Sequence, residues 1–264
     1  MESETEEEKR EFQLHKIKVK IMLDLRRLYH PDGKTLGTAI SGLSGSGKTT
    51  IVISTLQNAI KSNEFGEYHR FIIIDPKTQK GDYDLLAKPV TDLKKAFKSI
   101  RKNRVTLFWP NVEEFGNDVS DIVDYLFALA DKEPKTSFTL VIDEASILIT
   151  PTKIPPSLKR LSVQGRAKRI KPVFIGQRPI FNRWLDANLS NLILARTLPV
   201  DFDTLQKRWG VDFEQYQESL AEVDYSFMFF DLEKVVVKMM NPVPLPKVPK
   251  EPKKRTWMDR FFTN

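Results

Sequence analysis

Eight consecutive residues, Gly42-Leu43-Ser44-Gly45-Ser46-Gly47-Lys48-Thr49, carry the pattern G-x-x-x-x-G-K-[ST], the Walker A loop. A loop of this kind curls successive backbone N–H groups around phosphate oxygens. Its glycines allow backbone angles and a close approach that side chains would block. In that chemistry Lys48 reaches the β- and γ-phosphates and the Thr49 hydroxyl ligates Mg2+, while Ser44, Ser46 and Thr50 complete the cradle. Downstream, Leu140-Val141-Ile142-Asp143-Glu144 is an apolar run ending in two acids, a Walker B pattern. Asp143 would hold the hydration shell of Mg2+, and Glu144 would orient or deprotonate an attacking water. A glutamate directly after the aspartate favours ATP hydrolysis over kinase or GTPase chemistry, and the sequence has no N-K-x-D guanine-specificity motif. Two further residues have types suited to the same reaction. Gln177, at the tip of an apolar run, could sense a γ-phosphate, and Arg166 could reach a neighbouring subunit's nucleotide as an arginine finger.

These residues need a scaffold of strands whose ends meet. Thr35–Ser41 reads as a strand ahead of the loop, and Thr49–Lys61 as a helix burying Val52, Leu56, Ala59 and Ile60. Further strands are expected at Phe71–Ile74, Val105–Phe108, Thr139–Ile142, Val173–Ile175, Leu192–Ala195, Ser226–Phe230 and Val235–Met239. Helices are expected at Thr91–Arg101, Val119–Asp131, Ser157–Lys168, Phe202–Trp209 and Phe213–Glu222. Strands alternating with helices imply an α/β fold with a mostly parallel central sheet flanked by helices.

Three regions follow. Residues 1–35 form an acidic extension, in which the partial alternation of Phe12–Leu25 suggests an edge strand or two. Residues 36–240 form the ATPase domain. Residues 241–264 form a tail whose prolines at 242, 244, 246, 249 and 252 preclude regular structure, followed by a basic and then aromatic end (Trp257, Met258, Phe261, Phe262).

Composition narrows the class. The chain has no cysteine, which excludes disulfides and cysteine-ligated metals, and its three histidines, His15, His30 and His69, have no metal-ligand spacing. No apolar run is long enough to span a bilayer and no signal peptide is visible, so a soluble, cytosolic protein is expected. Net charge is +7, unevenly spread: the first ten residues sum to −3, whereas Ala145–Leu185 has no acid and nine cations. Such a block suits a polyanion, and Lys159, Arg160, Lys168, Arg169 and Lys171 are the candidate DNA contacts. Lys77 and Lys80 could contact DNA or merely cap a strand end.

Several blocks in order resemble the FtsK/HerA group of DNA-translocating ATPases, a branch of the RecA-like P-loop fold, which implies that fold here. They are the Walker A loop, Ile74-Asp75-Pro76-Lys77, Val141-Ile142-Asp143-Glu144-Ala145, Gly165-Arg166-Ala167 ahead of Gln177-Arg178-Pro179, and Asp186-Ala187-Asn188-Leu189. The resemblance implies a homo-oligomeric ring, with a hexamer favoured, that threads double-stranded DNA through a pore. ATP and Mg2+ would sit between subunits, with Arg166 acting in trans and Gln177 as sensor. The chain lacks membrane helices, a winged-helix domain and a large N-terminal barrel, and is therefore most similar in character to viral genome-packaging ATPases. That implies work in the host cytoplasm, in association with the virion, with the tail docking to a capsid vertex or internal-membrane protein. Other readings are a plasmid or conjugative transfer ATPase, a DNA-end-processing ATPase, and an ATP-switched assembly or export factor that moves no DNA.

Overall fold

The structure, a computed structural model, describes residues 23–31, 36–179, 182–210, 212, 216, 220 and 223–246. The expected edge strand before residue 23, most of the expected helix Phe213–Glu222 and the end of the tail lie outside them.

The described chain runs α1 (Leu25–Tyr29), β1 (Gly37–Ser41), α2 (Lys48–Lys61), β2 (His69–Ile74), β3 (Pro89–Val90), α3 (Leu93–Lys102) and β4 (Val105–Phe108). It continues through α4 (Phe115–Lys132), β5 (Ser137–Ile142), α5 (Pro156–Gln164), β6 (Ile170–Gly176), α6 (Arg183–Asp186) and β7 (Leu189–Leu194), and ends with α7 (Pro199–Trp209), β8 (Phe227–Asp231) and β9 (Val236–Met240). The nine strands form one sheet in the order β3-β4-β2-β5-β6-β1-β7-β8-β9. Strands β1 to β7 run parallel, and β8 and β9 add antiparallel to the β7 edge.

The central strands are continuous apolar runs because both faces are covered; every residue of β1, β6 and β7 is buried. One face packs against α3, α4, α5 and α7 through residues such as Ile74, Phe138, Phe174 and Leu192. The other face packs against α1 and α2 through Ile40, Phe71, Val141 and Ile193. Each fully buried side chain of this size contributes roughly 1.5–3 kcal/mol.

Helix boundaries follow local chemistry. The Asp92 carboxylate accepts the Lys95 N–H at 2.9 Å and starts α3, while α7 begins on Pro199 and ends on Gly210 at φ 67°. Helix α5 stops at Gln164, short of the expected Lys168, because a tight turn returns the Ile170 N–H to the Gly165 carbonyl at 2.8 Å.

Leu25–Tyr29 is a helix rather than part of an edge strand. It closes the N-terminal ends of the strands, with Leu28 and Tyr29 buried. There Thr38 donates to the Leu28 carbonyl at 3.0 Å, and Arg27 reaches Asp231 at 2.5 Å. Among the described residues no helix is long and apolar enough to cross a membrane.

Candidate functional site

The order of the strands brings the chemistry together. β1 lies between β6 and β7, and β5 lies between β2 and β6, all parallel. The segments leaving β1, β2, β5 and β6, which carry Gly42–Thr49, Asp75–Lys77, Asp143–Glu144 and Gln177, therefore emerge at one end of the sheet. From β1 the chain crosses over β6 and β5 to reach β2, so this end is a topological switch point, where open α/β sheets form a crevice for ligands.

The loop Gly42–Gly47 is held at both sides. Leu43 N–H donates to the Arg196 carbonyl at 2.8 Å, and Ser46 N–H to the Leu43 carbonyl at 3.2 Å. A Cβ on Gly42 would lie 2.6 Å from Ser46 Oγ and 2.8 Å from Ala195 Cβ, so only glycine fits there. Gly47 adopts φ 86°, and a Cβ on it would lie 2.9 Å from the ring of Tyr225. Gly47 is also the N-cap of the fourteen-residue α2 and provides no side-chain cap, leaving first-turn N–H groups available to an anion. Lys48 and Thr49 open that helix. The buried Lys48 ammonium donates to the carbonyls of Gly42 at 2.6 Å and Leu43 at 2.8 Å, folded back on the loop it would serve. Burial first, and then the Lys77 charge, pull its pKa below the ordinary lysine value, against the attraction of Glu144 and Asp143.

Asp143 is 1% exposed and accepts the Glu144 N–H at 2.8 Å through Oδ1. Glu144 takes the left-handed conformation, φ 49° and ψ 36°, which costs a residue with a side chain about 1 kcal/mol or more. That turn aims its carboxylate back toward Lys77.

Lys77 is the residue whose role the sequence left open. Its ammonium lies 3.0 Å from Asp143 Oδ2 and 3.3 Å from Glu144 Oε1. Burial opposes this charge, but the two acids outweigh it and hold the Lys77 pKa above the ordinary value. Asp75 anchors the turn by accepting the Lys77 N–H at 3.0 Å. Burial, and then the Asp143 charge, push the Asp75 carboxyl up to about 6. The pair of acids thus already holds one cation in this structure, and their carboxylate oxygens are donors of the kind a hard divalent ion takes. Tyr83 lies buried nearby, its phenol raised well above its ordinary value by burial and by Asp143 and Asp75.

Gln177 follows Gly176, which is in register with Ser41 at the end of β1. It is exposed at the strand tip between the Walker A and Walker B strands. Arg178 turns away and pairs with the buried Asp201 at 2.6 Å. Arg166 is exposed and precedes β6, at the opposite end of the sheet from Gln177. With seven residues of strand between, roughly 20 Å, it cannot serve its own subunit's loop.

The candidate DNA contacts are scattered. Lys171 is 1% exposed within β6, with its ammonium on the Leu36 carbonyl. Arg169 donates to the carbonyls of Ala130, Thr136 and Glu133 and ties α4 to β6. Both hold the fold together, which corrects their assignment as DNA contacts. Arg160 pairs with Asp124 and stacks over Phe127, and Lys168 pairs with Asp131. Lys159 remains, lying 3.7 Å above the ring of Trp184. Together with Lys153 and Arg183 they line a groove of about 650 Å³. This groove is built from the segments that follow Glu144 and Gln177, joined where Asn182 Nδ2 donates to the Thr150 carbonyl at 2.8 Å.

No protein-family model matches the sequence, and no curated protein matches it. Solved structures do. The genome packaging NTPase B204 from Sulfolobus turreted icosahedral virus 2, in complex with ATP-gammaS, is 18% identical with a TM-score of 0.62, over 81% of this chain and 99% of that one. B204, the DNA-packaging ATPase from Sulfolobus turreted icosahedral virus, is 15% identical with a TM-score of 0.57, over 79% of this chain and 98% of that one. VirB4 of Thermoanaerobacter pseudethanolicus is 11% identical with a TM-score of 0.57, over 81% of this chain and 90% of that one. The RecA-like architecture expected from the FtsK/HerA resemblance is the fold observed.

Proposed function

We propose that this protein is an ATP-driven translocase of double-stranded DNA, serving to package a viral genome. The observation that carries the reading is the convergence of Lys48, Asp143, Glu144, Lys77 and Gln177 at one end of the sheet, in the fold of an NTPase that packages a viral genome. The loop N–H groups and the start of α2 bind the triphosphate, and Lys48 leaves the Gly42 and Leu43 carbonyls for the β- and γ-phosphates. Thr49 and Asp143 are the residues that would hold Mg2+, which when bound neutralises charge on the phosphates. Glu144 accepts the proton of the attacking water. In this structure the Lys77 ammonium occupies Glu144 Oε1; movement of Lys77 toward phosphate oxygens uncovers that carboxylate for the water, which links its access to nucleotide arrival. Gln177 reads the γ-phosphate and passes its state, through the segment to Asn182, into the basic groove of Lys153, Lys159 and Arg183.

Arg166 completes the site of an adjacent copy, because its own loop lies at the far end of the sheet. A homo-oligomeric ring is the assembly in which every site is complete. The groove contacts DNA phosphates without reading sequence, so binding weakens steeply with salt.

The test is steady-state ATP hydrolysis with and without duplex DNA at low salt. Stimulation of several-fold is expected. It should be lost in Lys159→Glu/Arg183→Glu with basal turnover retained, and absent altogether in Lys48→Ala. Turnover indifferent to duplex DNA would remove the motor reading and favour an ATP-switched assembly factor.

A further inference from the structure

A second basic surface lies at the far edge of the sheet, away from both the nucleotide end and the Trp184 groove. Between β3, the second half of α3 and the start of β4 is a groove of about 750 Å³, with Leu86 and Val105 on its floor and Lys88, Lys95, Lys98 and Lys102 around it. All four lysines are exposed, and among the described residues none forms an ion pair. The only acid between Lys88 and Lys102 is Asp92, whose carboxylate is engaged in capping α3. Among the described residues β3 pairs only with Leu107 and Phe108, and no strand covers the outer edge of β4 at Val105. The surface is thus a trough at an open sheet edge, apolar below and four-fold cationic above. That shape and charge fit an extended acidic peptide.

We infer that this groove binds the acidic segment Glu2–Glu8 of the same chain. The segment carries five glutamates in seven residues, opposite in sign to the four unpaired lysines and enough to pair each of them. The chain also enters the described structure on the same face of the sheet: Leu23 and Leu25 belong to the apolar cluster that includes Leu86 and Val105. From Leu23 back to Glu8 an extended chain reaches up to about 50 Å, ample to follow the sheet edge. Charge pairing of this exposed kind is screened by salt, so the docking is reversible.

Zero-length carbodiimide cross-linking of the full chain at low salt, read by mass spectrometry, tests the inference. Amide links from Glu2–Glu8 to Lys88, Lys95, Lys98 and Lys102 are expected. They should fall at least tenfold at high salt and in Lys95→Glu/Lys98→Glu/Lys102→Glu. Those three residues are exposed, so the variant should keep its melting temperature and its basal ATP turnover. The inference is overturned if the acidic segment forms no links, if it links equally to Lys153 or Lys159, or if its links survive the triple substitution. Loss of duplex DNA affinity in the triple variant, with no glutamate links in the wild type, would overturn it in favour of a DNA surface. Basal ATP turnover is read separately, so none of these results bears on the nucleotide site.

Discussion

At the N-terminal ends of the strands the buried polar groups around His69 form a hydrogen-bonded chain, whereas at the C-terminal ends several beside the nucleotide loop are buried with no hydrogen-bond partner. In the first region His69 is held by Ser137 at 2.7 Å and Thr139 at 2.8 Å, Thr139 donates to the Tyr29 carbonyl, and Tyr29 bonds Thr55 at 2.6 Å. Because the Thr139 proton goes to Tyr29, His69 Nε2 must donate to Thr139; burial keeps the imidazole neutral, so Nδ1 accepts from Ser137. In the second region Ser41 Oγ, Ser46 Oγ, Asp75 Oδ2 and Trp109 Nε1 have no hydrogen-bond partner, and Glu144 is strained. An unpaired buried group costs about 1–3 kcal/mol, so a fold keeps such groups where a ligand or a reaction requires them. The paired chain around His69 serves stability, and the unpaired groups beside the loop serve chemistry.

The sharpest way to break this contrast is Lys48→Ala. Nucleotide affinity should fall by about a thousandfold, with the melting temperature unchanged or higher, because a buried ammonium is removed; a large loss of stability would show that Lys48 is structural. The paired end should instead respond to pH. Burial, then the charges of His30 and Arg104, lower the His69 pKa to about 3 from 6.5. The unfolded chain therefore binds the proton first, and stability is lost as pH falls from 6.5 toward 3. Relative to His69→Gln, the wild type should lose about 3 kcal/mol by about pH 4.5 in urea melts. Equal pH slopes for the two proteins would show that His69 is not held neutral.

Asp75 has the opposite sign and a smaller effect. Its raised pKa means that stability falls as pH rises from 3.8 to about 6 and stays lower above that. Asp75→Asn should gain about 2 kcal/mol at about pH 8 and nothing at about pH 4, while slowing ATP turnover through the misplaced Lys77. A stability loss at alkaline pH would place Asp75 with the paired groups. Smallest is Tyr225→Ala, which removes the exposed ring lying against Gly47. Nucleotide affinity should weaken by roughly threefold to tenfold in a fluorescent-analogue titration, with the melting temperature unmoved.

The nucleotide site was legible because phosphate binding forces a local pattern: Gly42, Gly47 and Lys48 must be neighbours in sequence to be neighbours in space. The sheet was legible for the same reason, since buried parallel strands are short apolar runs. Lys77 was not, because its contact with Asp143 and Glu144 exists only once β2 lies beside β5. The charge block misled for a related reason. Its acids are supplied from elsewhere, Asp124 and Asp131 on α4 and Asp201 on α7, and Lys171 is carried inside by the strand that contains it. The unpaired charge on α3 went unnoticed because its lysines alternate with apolar residues and a capping aspartate. Helix α1, at five residues, is too short to show a period.

The most direct measurement is ATP hydrolysis by Glu144→Gln, with binding of the nucleotide and Mg2+ followed in parallel. Wild-type or tighter binding together with a fall in turnover of about a hundredfold to ten-thousandfold is predicted. Turnover at the wild-type rate, or loss of binding in step with loss of turnover, would contradict a reaction centre at this end of the sheet.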